Sequence, residues 1–176
     1  MMSPLFESLV RNSMTLIPLE WNDENPLEGG ELDNYTRKEK KLEPQFKLQL
    51  DDQDINLEEL EDLMEYSQLK TLGELWLDQN HFGDEGVKLL SDTEALSGLR
   101  VLSLAGNKLT NSAFYALANS RTLVKLKRLF VHVNFMGPEG LASLGQSESM
   151  ASLEFLYLKQ NPLGLGGAMA LADSSA

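Results

Sequence analysis

The chain has no cysteine, which excludes disulfides, thiolate zinc sites and cysteine nucleophiles and is compatible with a reducing compartment. Basic residues are in the minority, 15 Lys+Arg against 27 Asp+Glu for a formal net charge of −12. There is thus no general cationic footprint for nucleic acid or anionic lipid, and basic or mixed-charge protein surfaces fit better as partners. A membrane span or secretory signal is not expected either. The apolar stretch of the first twenty residues is interrupted by Glu7 and Arg11 and flanked by Pro4 and Pro18, which suits neither a signal h-region nor a span. A soluble cytoplasmic protein is expected, with a secreted effector acting inside a host cell as the alternative.

Against these absences stands a strict repeat. Asn80, Asn107, Asn134 and Asn161 recur every 27 residues, each closing a Leu-x-x-Leu-x-Leu-x-x-Asn phrase. The phrases are LGELWLDQN (72 to 80), LRVLSLAGN (99 to 107), LKRLFVHVN (126 to 134) and LEFLYLKQN (153 to 161), with Val131 the one lapse from Leu. The period lies within the range of about 20 to 29 residues in which a strand and a helix form one unit. Behind each Asn come apolar pairs at a spacing of three: Val87/Leu90, Phe114/Leu117, Leu141/Leu144 and Ala168/Leu171. That spacing predicts one buried helical stripe per repeat, over 84 to 92, 111 to 119, 138 to 146 and 165 to 173. Asp84, Asn111 and Pro138 sit at the helix starts, as N-cap or first-turn residues.

One period earlier the frame lands on Leu48, Leu50, Gln53, Ile55, Leu60 and Leu63, a degenerate first repeat in which Gln53 replaces Asn. Asn56 and Glu59 have capping-box spacing, and Leu57, Leu60, Leu63 and Met64 line one helix face. Residues 45–176 are therefore read as one degenerate and four regular repeats, and residues 1–44 as a capping or targeting segment. Within that segment Ser3 and Pro4 start a helix burying Leu5, Leu9 and Val10, residues 14 to 21 form an edge strand, 22 to 34 a loop and 36 to 44 a charged connector. The sequence stops directly after the last predicted helix. Self-association or a partner is expected to cover that end, unless the array continues in a longer protein.

The Asn phrase followed by Gly-x-x-Gly and a helix, as in LGELWLDQNHFGDEGVKLL (72 to 90), resembles the ribonuclease-inhibitor-like class of leucine-rich repeat, in its cysteine-free bacterial form. The resemblance covers residues 45 to 176 and is strongest from 72. It implies an α/β, right-handed, curved solenoid with parallel strands on the concave face and helices on the convex face, and a role in protein–protein recognition. Ribonuclease inhibition does not carry over, because the cysteine-rich long horseshoe is absent, and neither does the ligase activity of bacterial leucine-rich ubiquitin ligases, which need a catalytic cysteine.

Side chains alternate along a strand, so the residues between the leucines face outward and fall into columns. The central column is Gln49, Trp76, Ser103, Phe130 and Tyr157. Beside it run Asp51, Asp78, Ala105, His132, Lys159 and, on the other flank, Lys47, Glu74, Val101, Arg128, Phe155. At ~4.8 Å between strands, Trp76 and Phe130 would stand about 10 Å apart, leaving a notch floored by Ser103, Ala105 and Gly106. Trp, Tyr and Arg dominate binding hot spots, so Trp76, Phe130, Tyr157 and Phe155 are the candidate contacts for a protein or peptide, with Arg128, His132, Lys159, Glu74 and Asp78 setting its orientation. The competing reading is that the rings merely stack on one another or lie under the N-terminal segment.

Asn80, Asn107, Asn134 and Asn161 are read as a structural ladder satisfying turning backbone. His81 and His132 are too far apart in the array to share a metal, and DDQD (51 to 54) lacks the spaced ligands and glycine of a calcium loop, so no metal or cofactor is expected. No Ser/His/Asp constellation or phosphate loop is present, and the chain is read as non-enzymatic. The alternative function is a regulator of a small GTPase, for which only Arg100, Arg121 and Arg128 within the array offer a finger residue.

Overall fold

The structure is a computed structural model and describes residues 2–18 and 45–172. The loop expected at 22 to 34, the connector at 36 to 44 and the end of the last helix from 173 lie outside the described residues. Six strands form one sheet in the order β1-β2-β3-β4-β5-β6: β1 Met14–Leu16, β2 Phe46–Gln49, β3 Leu72–Trp76, β4 Val101–Ser103, β5 Arg128–Phe130 and β6 Phe155–Tyr157. Strands β2 to β6 are parallel neighbours in sequence order, whereas β1 adds to β2 antiparallel, Met14 opposite Leu48. The helices are α1 Pro4–Asn12, α2 Leu57–Met64, α3 Gly83–Asp92, α4 Asn111–Ala118, α5 Pro138–Gly145 and α6 Gly164–Ala172.

Each unit closes for the reason its sequence suggests. The inward strand residues Leu75, Leu77, Leu102, Leu104, Leu129 and Val131 and the helix residues Val87, Leu90, Phe114 and Leu117 are all fully buried in one continuous core. Helix α2 begins with both halves of the capping box: the Asn56 side chain accepts from Glu59 N–H at 3.0 Å, and Glu59 Oε2 accepts from Asn56 N–H at 3.2 Å. At the other helix starts the expected residues lie one or two places inside the helix. The caps are Phe82, Thr110 and Gly137, and of these Thr110 alone caps through its side chain.

Three hydrogen-bonded ladders run along the array. In the first, Asn80 Oδ1 accepts from Ile55 N–H (2.9 Å) and Nδ2 donates to the Leu50 carbonyl (2.9 Å). Asn107 accepts from Asn80 N–H (2.9 Å) and donates to Leu77 (2.9 Å), and Asn134 accepts from Asn107 N–H (3.0 Å) and donates to Leu104 (3.0 Å). Asn161, half-buried, accepts from Met136 N–H (2.9 Å) and donates to Val131 (2.9 Å). Each amide thus ties a turn to its neighbouring repeat and pairs groups that burial would otherwise strand.

The second ladder stands at the helix starts. Asp84 accepts from Thr110 N–H (2.8 Å) and hydroxyl (2.5 Å), and Asn111 Oδ1 accepts from the N–H groups of Gly137 (2.7 Å) and Gly140 (3.2 Å). The third uses hydroxyls: Ser120 donates to the Ser91 carbonyl (2.6 Å), and Ser147 donates to the Ala118 carbonyl. A further regularity is conformational. Asp52, Gln79, Gly106, Val133 and Gln160, one residue before each ladder position, all have positive φ, between 55° and 69°.

At the N-terminal end Ser3 caps α1, accepting from Phe6 N–H at 3.2 Å, as its position before Pro4 predicts. The expected buried face is corrected. Phe6 and Val10 face the core and Leu9 is partly buried, but Leu5 is 86 % exposed, because the face four residues apart that carries Phe6 and Val10 turns Leu5 outward. In α6, Ala168 is exposed instead of joining a buried stripe, since this helix packs against α5 on one side only among the described elements.

Candidate functional site

The register builds the outward face. Glu74, Val101, Arg128 and Phe155 lie opposite one another across β3 to β6, as do Trp76, Ser103, Phe130 and Tyr157, with Lys47 and Gln49 adjoining on β2. The third column follows just past the strands. There Gln79, Gly106 and Val133 donate N–H to the carbonyls of Ala105, His132 and Lys159, so Asp78, Ala105, His132 and Lys159 are held in line as well.

The aromatic side chains form one continuous cluster. Trp76 and Phe130 stack with centroids 5.4 Å apart and planes at 27°, Phe130 meets Phe155 at 5.4 Å and the edge of Tyr157 at 6.4 Å, and His132 lies 4.9 Å from Tyr157. These separations are those at which ring pairs attract beyond area burial. The expected notch is therefore closed. The rings lean towards each other above Ser103, which is completely buried, and Ala105 is only 4 % exposed. Two apolar rings flanking a small residue remove more surface from water by meeting than by standing upright. Exposure increases towards β6, with Phe155 at 46 % and Tyr157 at 37 %.

Polar groups frame the cluster. The Trp76 indole N–H donates to Glu74 Oε2 at 3.0 Å, Glu74 Oε1 lies 3.8 Å from the Arg128 guanidinium, and Lys47 Nζ sits 4.4 Å over the Trp76 ring. Asp78 is turned into the sheet, its Oδ1 accepting from the Ser103 hydroxyl (2.5 Å) and Ala105 N–H (2.8 Å). Burial raises the Asp78 pKa above the ordinary carboxylate value, assisted by Asp51, while the Ser103 and Ala105 bonds and His132 pull it back. Asp51 repeats the motif one strand earlier, accepting from Asp78 N–H at 2.9 Å. Lys159 is exposed.

Ser103, Asp78 and His132 come close together without forming a nucleophilic arrangement: the serine hydroxyl donates to the carboxylate and lies beneath the rings. Among the described residues no group of His, Asp and Glu is placed to hold a metal ion. The face offers a continuous cluster of tilted aromatic rings bordered by charges.

Sequence reasoning overlooked two exposed apolar residues beside the cluster, Val133 at 47 % and Phe135 at 58 %. The signal was available in the columns Gln79/Gly106/Val133/Gln160 and His81/Lys108/Phe135/Pro162, in which the two stand out among mostly polar neighbours. Lys47 had been placed in its column but not in the site.

A leucine-rich repeat family model matches residues 68–91 and 149–172. Together with the strand–helix units, that match supports a protein of the leucine-rich-repeat type in general. Among solved structures the chain is similar to an internalin from Listeria monocytogenes, with 23 % identity over 61 % of this chain and 34 % of that one, at a TM-score of 0.38. It is similar also to the tropomodulin C-terminal domain from Caenorhabditis elegans, with 18 % identity over 65 % of this chain and 77 % of that one, at a TM-score of 0.38. The chain spans about a third of the length of the internalin. No curated protein matches it. Among the described residues no helix is long and apolar enough to cross a membrane.

Proposed function

We propose that the protein is a non-enzymatic recognition module that takes a protein or peptide on the concave face of a curved, right-handed, ribonuclease-inhibitor-like solenoid. The observation that supports this reading is the continuous ring cluster of Trp76, Phe130, Phe155 and Tyr157 on the outward sheet face, increasingly exposed towards β6. Large rings that stay half-exposed are enriched where partners bind. In this reading Phe155 and Tyr157 make first contact, Trp76 and Phe130 supply a rigid base, and Arg128, His132, Lys159 and Glu74 orient the partner. Asp78 shapes the platform from below. Residues 45–176 are the array and residues 1–44 its cap, which the pairing of β1 with β2 and the burial of Phe6 and Val10 support.

The test is a pull-down from native lysate with wild type and Phe155→Ala/Tyr157→Ala side by side, followed by an affinity measurement on the captured protein. Loss of both rings should cost at least ~2 kcal/mol in affinity and leave the melting temperature nearly unchanged. Intact capture by this variant, or by Trp76→Ala, would place the binding surface elsewhere.

A second reading concerns assembly. Leu165 and Met169 on α6 are 78 % and 60 % exposed beside the outermost described strand, and self-association there would cover them. Sedimentation of wild type and Leu165→Glu/Met169→Glu decides it: a dimer lost in the variant supports the contact, and a wild-type monomer at high concentration removes it.

A further inference from the structure

We propose that the occupant of the face over β5 and β6 is a short acidic peptide segment carrying at least one apolar side chain. This deepens the reading of that face as the binding surface and rests on it. The chain is acidic as a whole, but the acid is unevenly placed. Residues 45–98 hold 3 Lys and no Arg against 14 Asp+Glu, whereas residues 99–172 hold 7 Lys+Arg against 3 Glu. On the outward face the same division places Asp51, Glu74 and Asp78 on the β2–β3 side and Arg128, His132 and Lys159 on the β5–β6 side.

The cations there are poorly satisfied within the protein. Among the described residues the one ion pair of Arg128 is the loose 3.8 Å approach to Glu74, whose other oxygen accepts from Trp76, and Arg128 Nε is buried with no hydrogen-bond partner. His132 Nδ1 is likewise buried and unpartnered. Lys159 has no ion pair among the described residues, and the neighbouring Glu154 lies 3.2 Å from Lys127. A carboxylate arriving beside Phe155 and Tyr157 would therefore meet Lys159, which has no ion pair among the described residues, and Arg128, which Glu74 holds only loosely.

Distance decides whether the net charge of −12 prevents this. From β5 and β6 the backbones of β2 and β3 are two to four strand spacings away, ~10 to 19 Å, and charges in water are screened within about 8 Å at physiological salt. The acidic side chains that reach closer are already engaged, Glu74 with Trp76 and Arg128, Asp78 with Ser103 and Ala105. A segment confined to β5 and β6 is governed by Arg128 and Lys159. The exposed Phe155, Tyr157, Val133 and Phe135 supply apolar surface for its non-acidic residues. A long polyanion such as single-stranded nucleic acid is disfavoured, because its next phosphates would run onto Glu74, Asp78 and Asp51.

The experiment uses the full chain and fluorescein-labelled twelve-residue peptides of equal leucine and tryptophan content whose remaining positions are all Glu, all Lys or all Ser, with a twelve-residue oligothymidylate as the fourth probe. Fluorescence anisotropy should rank the Glu peptide roughly tenfold or more above the others, and Arg128→Gln/Lys159→Gln should remove about that factor. Raising NaCl from about 50 to about 300 mM should weaken wild-type binding, a readout that needs no variant. Equal or better binding of the Lys or Ser peptide, or no measurable binding of the Glu peptide, overturns the proposal. If binding then still falls in Phe155→Ala/Tyr157→Ala, the face remains the site and only the partner chemistry is wrong. Tightest binding by the oligothymidylate overturns it in favour of nucleic acid.

Discussion

The two ends of the sheet are built from equivalent sequence and fare differently. At the N-terminal end β1 and α1 cover the first repeat, and Leu48, Leu50, Leu60 and Leu63 are fully buried. At the other end Leu156, Leu158 and Leu163 occupy the columns of Leu75, Leu77 and Phe82 yet remain partly exposed. In an array where each unit touches only its neighbours, burial is supplied by the next repeat, so the same residue type is worth less on the outermost described one. Exposed rings and the exposed Lys159 gather towards this less covered end, while the covered end carries the acidic surface.

The comparison breaks most readily at the leucines. Leu102→Ala should cost ~2 to 5 kcal/mol through lost transfer energy and the cavity left behind. Leu156→Ala, one neighbour short and already part-exposed, should cost roughly half as much. Urea midpoints of the two variants measure the difference directly. Equal losses would mean that the last repeat is as well supported as the middle one.

Next in size are the ladder amides. Asn107→Ala removes bonds to Asn80 and Leu77 inside the core and should cost ~1 to 3 kcal/mol, with less for the half-buried Asn161→Ala. Hydrogen exchange should show the corresponding order, fastest in β6 and α6 and slowest in β3 to β5. Uniform protection out to residue 172 in a dilute monomeric sample would contradict both expectations.

These contrasts were only partly legible in the sequence. The 27-residue period located α3 to α5 to within a residue at each end and the start of α6 equally closely, because a repeated apolar stripe and a repeated turn reinforce each other, and the Asn56/Glu59 spacing identified the capping box of α2. The columns of the site came from alternation alone. What alternation does not encode is where a ring leans: Trp76 and Phe130 close over Ser103 because of mutual attraction between side chains two strands apart. The second ladder was hidden for a similar reason. Asp84 and Asn111 look like ordinary helix starters, and their real partners stand 26 to 29 residues further along. Nor did glycine mark the column of positive φ, which has Gly only at 106.

That column supplies a smaller, opposite effect. Val133 holds φ +57° with a β-branched side chain, a conformation that costs L residues roughly 1 to 2 kcal/mol, whereas Gly106 meets the same demand without that strain. Val133→Gly should therefore stabilise by about 0.5 kcal/mol after the added flexibility of glycine in the unfolded chain is subtracted. A loss of stability would show that the exposed valine side chain contributes packing that outweighs its strain.

The smallest effect separates the acidic from the basic side of the face and depends on pH. Burial raises the Asp78 pKa in the folded protein, so the native state holds that proton more tightly than the unfolded chain does. By linkage this group's contribution is most favourable at low pH and declines as pH rises from the ordinary carboxylate range through the raised value. Asp78→Asn keeps an oxygen that can accept from Ser103 and Ala105 while removing the desolvated charge and its repulsion from Asp51. At neutral pH the variant should melt at the same temperature as wild type or slightly above it. The difference between the two proteins should shrink or reverse as pH falls to about 4, where other carboxylates titrate equally in both. A variant clearly less stable at neutral pH would mean that the charge strengthens the Ser103 and Ala105 bonds by more than its burial costs, and that Asp78 holds β3 to β4 as a carboxylate.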